Sequence, residues 1–251
     1  MKLISLNIEG RKHWERINPF IETELPDVVC FQEIFEIDAK GFADRFSLHY
    51  AFMSMVVKEG EQQGVALFSR CALANIRLVT YHDKTDDTQP FDKTSLERMR
   101  ETERQAIILA DIEIDGALFT VSTTHFTWTP DGLVNNYQKE DAAALLKILA
   151  DVPEVIICGD FNVPRGFNEI YDLFAGKYAD AIPQSYASSL DPLFHRAYKN
   201  PEQAVHIARF MVDYLFTSER YTASDVRLQF GLSDHGAIVA SISSHSSNVQ
   251  I

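Results

Sequence analysis

Basic residues are in short supply: 23 Lys and Arg stand against 36 Asp and Glu, a formal charge of -13. Nucleic-acid binding is dominated by phosphate neutralisation, so this balance excludes indiscriminate attraction to nucleic acid. It does not exclude a phosphate substrate, because divalent cations held by acidic residues reverse the local potential. Cysteine is scarce as well. Cys30, Cys71 and Cys158 cannot all pair, no CxxC spacing occurs, and Cys30 and Cys158 lie inside apolar runs as small core residues. A reducing compartment is expected. No apolar run approaches the roughly 20 residues that span a bilayer, and residues 1–10 hold only a short one, unlike a secretory leader. The expectation is a cytoplasmic monomer without a membrane segment. HExxH, GxxxxGK[ST] and GxSxG are all missing, which removes the zincin, P-loop and α/β-hydrolase readings. With no repeat, linker or composition shift, residues 1–242 read as one domain and 243–251 as a loose polar tail.

What the chain does have is a 46% hydrophobic content, enough for a sizeable core. Residues 155–164 organise the rest: four apolar residues run into Gly159, Asp160 and Asn162 before Pro164 ends the segment. A short apolar run so bounded predicts a strand buried on both faces, delivering Asp160 and Asn162 to a rim. Strands are predicted over 2–7, 28–31, 50–57, 64–69, 105–114, 117–124, 207–217, 224–230 and 237–242. Asp115-Gly116 is a strong hairpin signal between two of them. Helical spacing predicts helices over 14–25, 38–46, 135–150 and 168–174. Residues 81–103 read as a polar insert, better ordered in its helical half, 92–102.

Polar residues fall where strands end. Asn7, Glu33, His125, Asp160 with Asn162, Asp213, and Asp234 with His235 each sit at or just past an apolar strand. Strand ends on one sheet edge converge in space. Glu and Asp are hard oxygen ligands that suit Mg²⁺ or Mn²⁺ rather than zinc.

These same residues carry a resemblance. Leu6-Asn7-Ile8-Glu9, Gln32-Glu33, Thr124-His125, Gly159-Asp160-Phe161-Asn162, Asp213-Tyr214 and Ser233-Asp234-His235 follow the order seen in the endonuclease/exonuclease/phosphatase (deoxyribonuclease I-like) superfamily. The residues so matched spread over nearly the whole chain. The resemblance implies an α/β fold, a four-layer sandwich of two facing mixed sheets flanked by helices, and Mg²⁺-dependent hydrolysis of phosphate esters. It implies Glu33 as principal metal ligand, Asn7, Glu9 and Asp234 as further metal contacts, and Asp160 as the residue that orients or deprotonates water. Asn162 resembles the donor to the phosphate, His125 the histidine of the nuclease and sphingomyelinase branches, and His235 the residue meeting charge on the phosphoryl oxygens. Asp213 resembles the partner that orients His235.

The chemistry supports these roles independently. Phosphodiester cleavage requires an in-line nucleophile and positive charge on oxygens that become more negative. A histidine beside a carboxylate is held in one orientation with its charged form favoured, so Asp213 and His235 are expected in contact. A phosphodiesterase acting on nucleic acid or a nucleotide-derived diester leads. A phosphatase or phospholipase-like enzyme on a small substrate, and an inactive binding scaffold, are the alternatives. Trp128 and Phe126 are open to base stacking or to packing, Arg104 and Arg165 to phosphate contact. His13, His49, His82, His195, His206 and His245 read as structural or solvated.

Overall fold

Alternation along residues 2–7 sets the architecture. Leu3 joins a core between two sheets, whereas Ile4 and Leu6 face helices on the outer side. Both faces of the strand are therefore covered, which explains its nearly unbroken burial. The computed structural model describes residues 1–84 and 86–245. In chain order it runs β1 (Lys2–Asn7), α1 (Trp14–Glu24), β2 (Val28–Phe35), α2 (Glu36–Phe46), β3 (His49–Lys58), β4 (Glu61–Ser69), β5 (Leu73–His82), α3 (Leu96–Thr102) and β6 (Gln105–Ile114). It continues with β7 (Ala117–His125), α4 (Asn136–Ala150), β8 (Ile156–Asp160), α5 (Glu169–Ala175), β9 (Ala179–Asp180), α6 (Pro201–Ile207), β10 (Asp213–Thr217), β11 (Tyr221–Gln229) and β12 (Ala237–Ser244).

The strands form two six-stranded sheets, ordered β11-β12-β1-β2-β4-β3 and β5-β6-β7-β8-β10-β9. Each is mixed: β1 and β2 are parallel, as are β7 and β8, and the remaining strand pairs are antiparallel. Helices α1 and α2 cover the first sheet through Ile17, Ile21, Ala39 and Phe42, while α4 buries Ala142, Leu145 and Leu149 against the core that β7 and β8 share. Two facing sheets with helices outside make the four-layer α/β sandwich.

Turn chemistry bears out the hairpins. Asp115 and Gly116 both have positive φ, 51° and 77°, as do Glu59 and Gly60 at 57° and 80°. Such two-residue turns match the twist of antiparallel strands. Asn135 caps α4 by accepting from the Gln138 amide at 2.9 Å.

Several elements differ from the sequence reading. Residues 207–212 are not strand. Asn200 caps α6 through the amides of Glu202 and Gln203, Pro201 takes the first helical turn, and Ile207 closes that helix. β5 was not predicted: half of its residues are exposed and none is buried, so burial left no alternation to read. At the chain's end β12 passes residue 242, with Ser243 opposite Thr222 and Ser244 opposite Tyr221. The remainder of the expected tail, 246–251, lies outside the described residues.

Candidate active site

The site lies where β1 and β2 of one sheet end against β7 and β8 of the other. β7 and β8 are parallel and in register, so His125 and Asp160 finish side by side. Close approach there demands glycine: a Cβ on Gly159 would lie 2.0 Å from the Thr124 carbonyl oxygen. β10 runs antiparallel, placing its first residue, Asp213, opposite Asp160. Asp213, Asp234 and His235 thus reach the same edge from strand beginnings rather than strand ends. Glu33 arrives by a different device. The β2–β4 register slips between Gln32 and Ile34, and Glu33 sits at φ 58°, turned out of the ladder. A non-glycine residue in this conformation marks a bulge that re-aims a side chain.

Asn7 joins the two sheets, its Nδ2 donating to Glu33 Oε1 and to Asp160 Oδ2, each at 3.1 Å. Asp160 Oδ2 also faces His125 Nε2 at 3.4 Å and His235 Nε2 at 3.7 Å, while its Oδ1 accepts from the Asn162 amide. Asp160 is only 2% exposed, so it is not a solvated rim residue. Its partners are what make burial tolerable. Burial pushes the carboxyl up, but His235, His125 and Asn7 outweigh it and hold it down at about 2. The expected pair is present: His235 Nδ1 lies 2.7 Å from Asp213 Oδ2. Burial opposes charge on His235, yet Asp213 and Asp160 raise it well above the ordinary histidine range. His125 is raised to about 9; burial opposes this and Asp160 overcomes it. Ser189, wholly buried, donates to Asp213 Oδ2 at 2.6 Å and accepts from the Asp213 amide.

Asn162 commits one N–H to the Phe126 carbonyl at 2.9 Å and keeps a second. The loop beyond it is pinned by the buried Tyr214 hydroxyl, which donates to the Val163 carbonyl at 2.8 Å. Glu9, at φ 52°, is held by Lys12 and by His13 at 3.0 Å. Asp234 is pushed up to about 6, chiefly by burial, with His235 pulling it back and Glu9 and Glu33 adding to the rise. Glu9, Glu33 and Asp234, beside the Asn7 amide oxygen, are oxygen donors of the kind that Mg²⁺ and Mn²⁺ take. Asp160, Asp213 and His235 also bring ligand atoms within 4.8 Å of one another, a group that could hold an ion. There the imidazolium already supplies counter-charge, so the Glu33 side fits a hard cation better.

Arg104 and Arg165 do not reach this cleft as phosphate ligands. Arg104 pairs with Asp83 and Asp87, and Arg165 is buried on Asp180 and the carbonyls of Ile182, Pro183 and Tyr186. Phe126 is 1% exposed and is a packing residue, whereas Trp128 stands 45% exposed.

Two further residues stand at this edge: Glu103, unread in the sequence, and His195, read there as structural or solvated. Glu103 lies two residues before β6, whose start lies beside the end of β7 because the two are antiparallel. Its carboxyl is raised to about 7, foremost by burial, with His125 and Lys93 opposing and Glu33 and Asp141 adding to it. The folded value exceeds the unfolded one, so stability is fully present below about 4.5 and declines as pH rises towards 7. Glu103→Gln removes that penalty. In metal-free protein the variant should unfold later than wild type at pH 8, by about 2–3 kcal/mol, and together with it at pH 4. Equal stability at both pH values would show that this carboxyl ionises as freely as in solution. His195 is the other, carried on a loop against His235 with ring centroids 6.3 Å apart.

Facing mixed sheets that gather carboxylates, amides and two charged histidines on one edge define a hydrolase of phosphate esters. The chain belongs to the Endonuclease/Exonuclease/phosphatase family, whose profile matches residues 4–235. Enzymes of this family cleave phosphate esters and are in general dependent on divalent metal. No curated protein sequence matches the chain. Its fold is similar to an endonuclease/exonuclease/phosphatase from Beutenbergia cavernae (16% identity, TM-score 0.73, 99% of this chain and 72% of that one). It is also similar to the human Nocturnin catalytic domain with bound sulfate anion (20% identity, TM-score 0.69, 98% and 93%). A third similar fold is the mannosyl-6-phosphatase of Bacteroides thetaiotaomicron (15% identity, TM-score 0.67, 97% and 99%). Among the described residues, no helix is long and apolar enough to cross a membrane.

Proposed function

We propose that the chain is a Mg²⁺-dependent phosphodiesterase acting on a nucleotide-derived diester or nucleic acid, through one catalytic domain. The observation that carries this is the contact set of Asp160, with Asn7 linking it to Glu33 and two histidines at its free edge. Glu33, with Asn7, Glu9 and Asp234, would hold the cation, which when bound stabilises negative charge on the phosphoryl oxygens. Asp160, held near pKa 2, is too weak a base to keep a proton. It therefore serves as the acceptor that fixes an attacking water in line. His235, oriented by Asp213, and His125 donate to the oxygens on which charge grows. The second N–H of Asn162 is available to the same phosphate. Exposed Trp128, three residues beyond His125, offers a face on which a base stacks.

A small phosphorylated substrate is the second reading. Lys2, Lys12, Lys139, Arg11, Arg45, Arg98 and Arg227 are ion-paired on the surface of a chain with a formal charge of -13, which weakens its attraction for a long polyanion. Turnover of bis-para-nitrophenyl phosphate, single-stranded and duplex DNA, RNA and inositol phosphates separates these readings. EDTA should abolish activity, and added Mg²⁺ should restore it. Full activity after exhaustive chelation would remove the cation from the scheme.

A further inference from the structure

The loop that carries His195 is fastened to the segment that carries His235. Leu190 bridges His235 across an antiparallel pairing, the Asp191 amide donates to the Asp234 carbonyl at 2.8 Å, and the Gly236 amide donates to the Ser189 carbonyl at 2.7 Å. Asp191, with no exposure, accepts from the amides of Leu193 and Gly231, and its own carbonyl receives the His195 amide at 2.9 Å. On the other side Phe194 packs against His13 and beneath Arg16, at the start of α1. The loop therefore spans from the Glu9 side of the cleft to the His235 side. The position of His195 is fixed from both.

The imidazole itself is oriented from behind. Nδ1 accepts from the Ala197 amide at 3.4 Å, the first turn of the short helical segment that His195 caps. An accepting Nδ1 carries no proton, so a neutral ring has its N–H at Nε2. Nε2 makes no hydrogen bond to any described residue, and the ring stands at 75° to that of His235. Glu9, Asp160 and His235 all act electrostatically on it. A half-buried imidazole with one nitrogen committed, the other idle, and a catalytic edge beside it has the form of a substrate contact.

We propose that His195 is a substrate-positioning residue whose Nε2–H donates to a non-bridging oxygen of the phosphate being cleaved. The inference rests on the reading of Asp160 and His235 as the edge that meets this phosphate. No bond is made or broken at His195; it adds a neutral donor to the charged pair His125 and His235. A neutral donor fixes the phosphate's rotation without a third cation that would compete with the metal.

Two amide replacements divide the ring's functions. Asn places its oxygen near Nδ1 and keeps the helix cap, but has nothing at Nε2. Gln places an N–H near Nε2 and gives up the cap. If His195 contacts the phosphate, His195→Asn should unfold with wild type and lose about 10- to 100-fold in kcat/KM on bis-para-nitrophenyl phosphate. His195→Gln should keep most of that activity despite a lower Tm. Wild-type turnover in His195→Asn, with turnover lost only in step with stability in His195→Gln, would reduce the residue to a cap. A second measurement stands apart from turnover. In ¹⁵N-histidine-labelled full chain, long-range ¹H–¹⁵N spectra should show His195 protonated at Nε2, and inorganic phosphate added with Mg²⁺ should move that signal. A proton on Nδ1, or an Nε2 resonance indifferent to phosphate, overturns the assignment. A phosphate-responsive His195 in a protein that turns over no diester would instead overturn the phosphodiesterase reading.

Discussion

Asp160→Asn is expected to lower kcat by about 10³-fold or more, because it removes the acceptor that fixes the nucleophile. KM should change little, since the cation and the histidines hold the phosphate. The fold should survive: the amide keeps the shape and an oxygen at the place of Oδ1 that accepts from the Asn162 amide, while its NH₂ replaces Oδ2 and gives up the bond from Asn7. Asp160 feels two cationic histidines, so a neutral amide here also releases them, and His125 should titrate nearer the ordinary histidine value. The combination is diagnostic. A purely structural Asp160 would lower Tm and activity in step, whereas an acceptor for water lowers kcat far beyond the modest loss of Tm that goes with the Asn7 bond and the histidine ion pairs. Wild-type kcat in a correctly folded Asp160→Asn protein would mean that the chemistry lies elsewhere.

His235→Asn comes next in size, at about 10³-fold in kcat. Asparagine can still donate to Asp213 from the place of Nδ1, so the buried carboxylate keeps a partner. What disappears is the donor at Nε2. Alanine is harsher, because it leaves Asp213 buried and unpaired and destabilises by about 3–5 kcal/mol. Asp213 acts only through His235, so Asp213→Asn combined with His235→Asn should be no slower than His235→Asn alone. Multiplicative losses in that double variant would assign Asp213 an independent part in turnover. His235 and His125 have raised folded values, so their ion pairs with the aspartates strengthen the fold below the ordinary histidine range and are lost as pH climbs through the higher folded values. In the apo protein this loss begins as pH passes 6.5 and is nearly complete above about 9 for His125.

Much of this arrangement was legible in the residues themselves. The run into Gly159-Asp160 could be read because burial on both faces leaves only apolar residues, and the glycine marks where two backbones crowd. Asp115-Gly116 fixed one hairpin by its turn chemistry alone. The antiparallel members of the sheets set the limit. Polar residues were sought where strands finish, which found Asn7, Glu33, His125 and Asp160, but the same edge also receives the beginnings of antiparallel strands. Glu103, two residues before β6, was missed for that reason. β5 escaped because an outer strand with little burial has no face to betray it. The segment after Val205 looked like strand because its apolar residues outweighed the Asn200-Pro201 cap, which is the stronger physical signal. His195 had no signal at all: its importance depends on a loop folded back by Asp191, and nothing local in sequence encodes that return.

The position of β1 between β12 and β2 has one more consequence. Asn7 ends β1, and His235 leads into the strand that lies along its flank. Peeling β12 from β1 would carry His235 away from Asp213 and Asp160 while leaving Glu33 on Asn7. A local opening of that single seam is therefore enough to silence the cleft without unfolding either sheet.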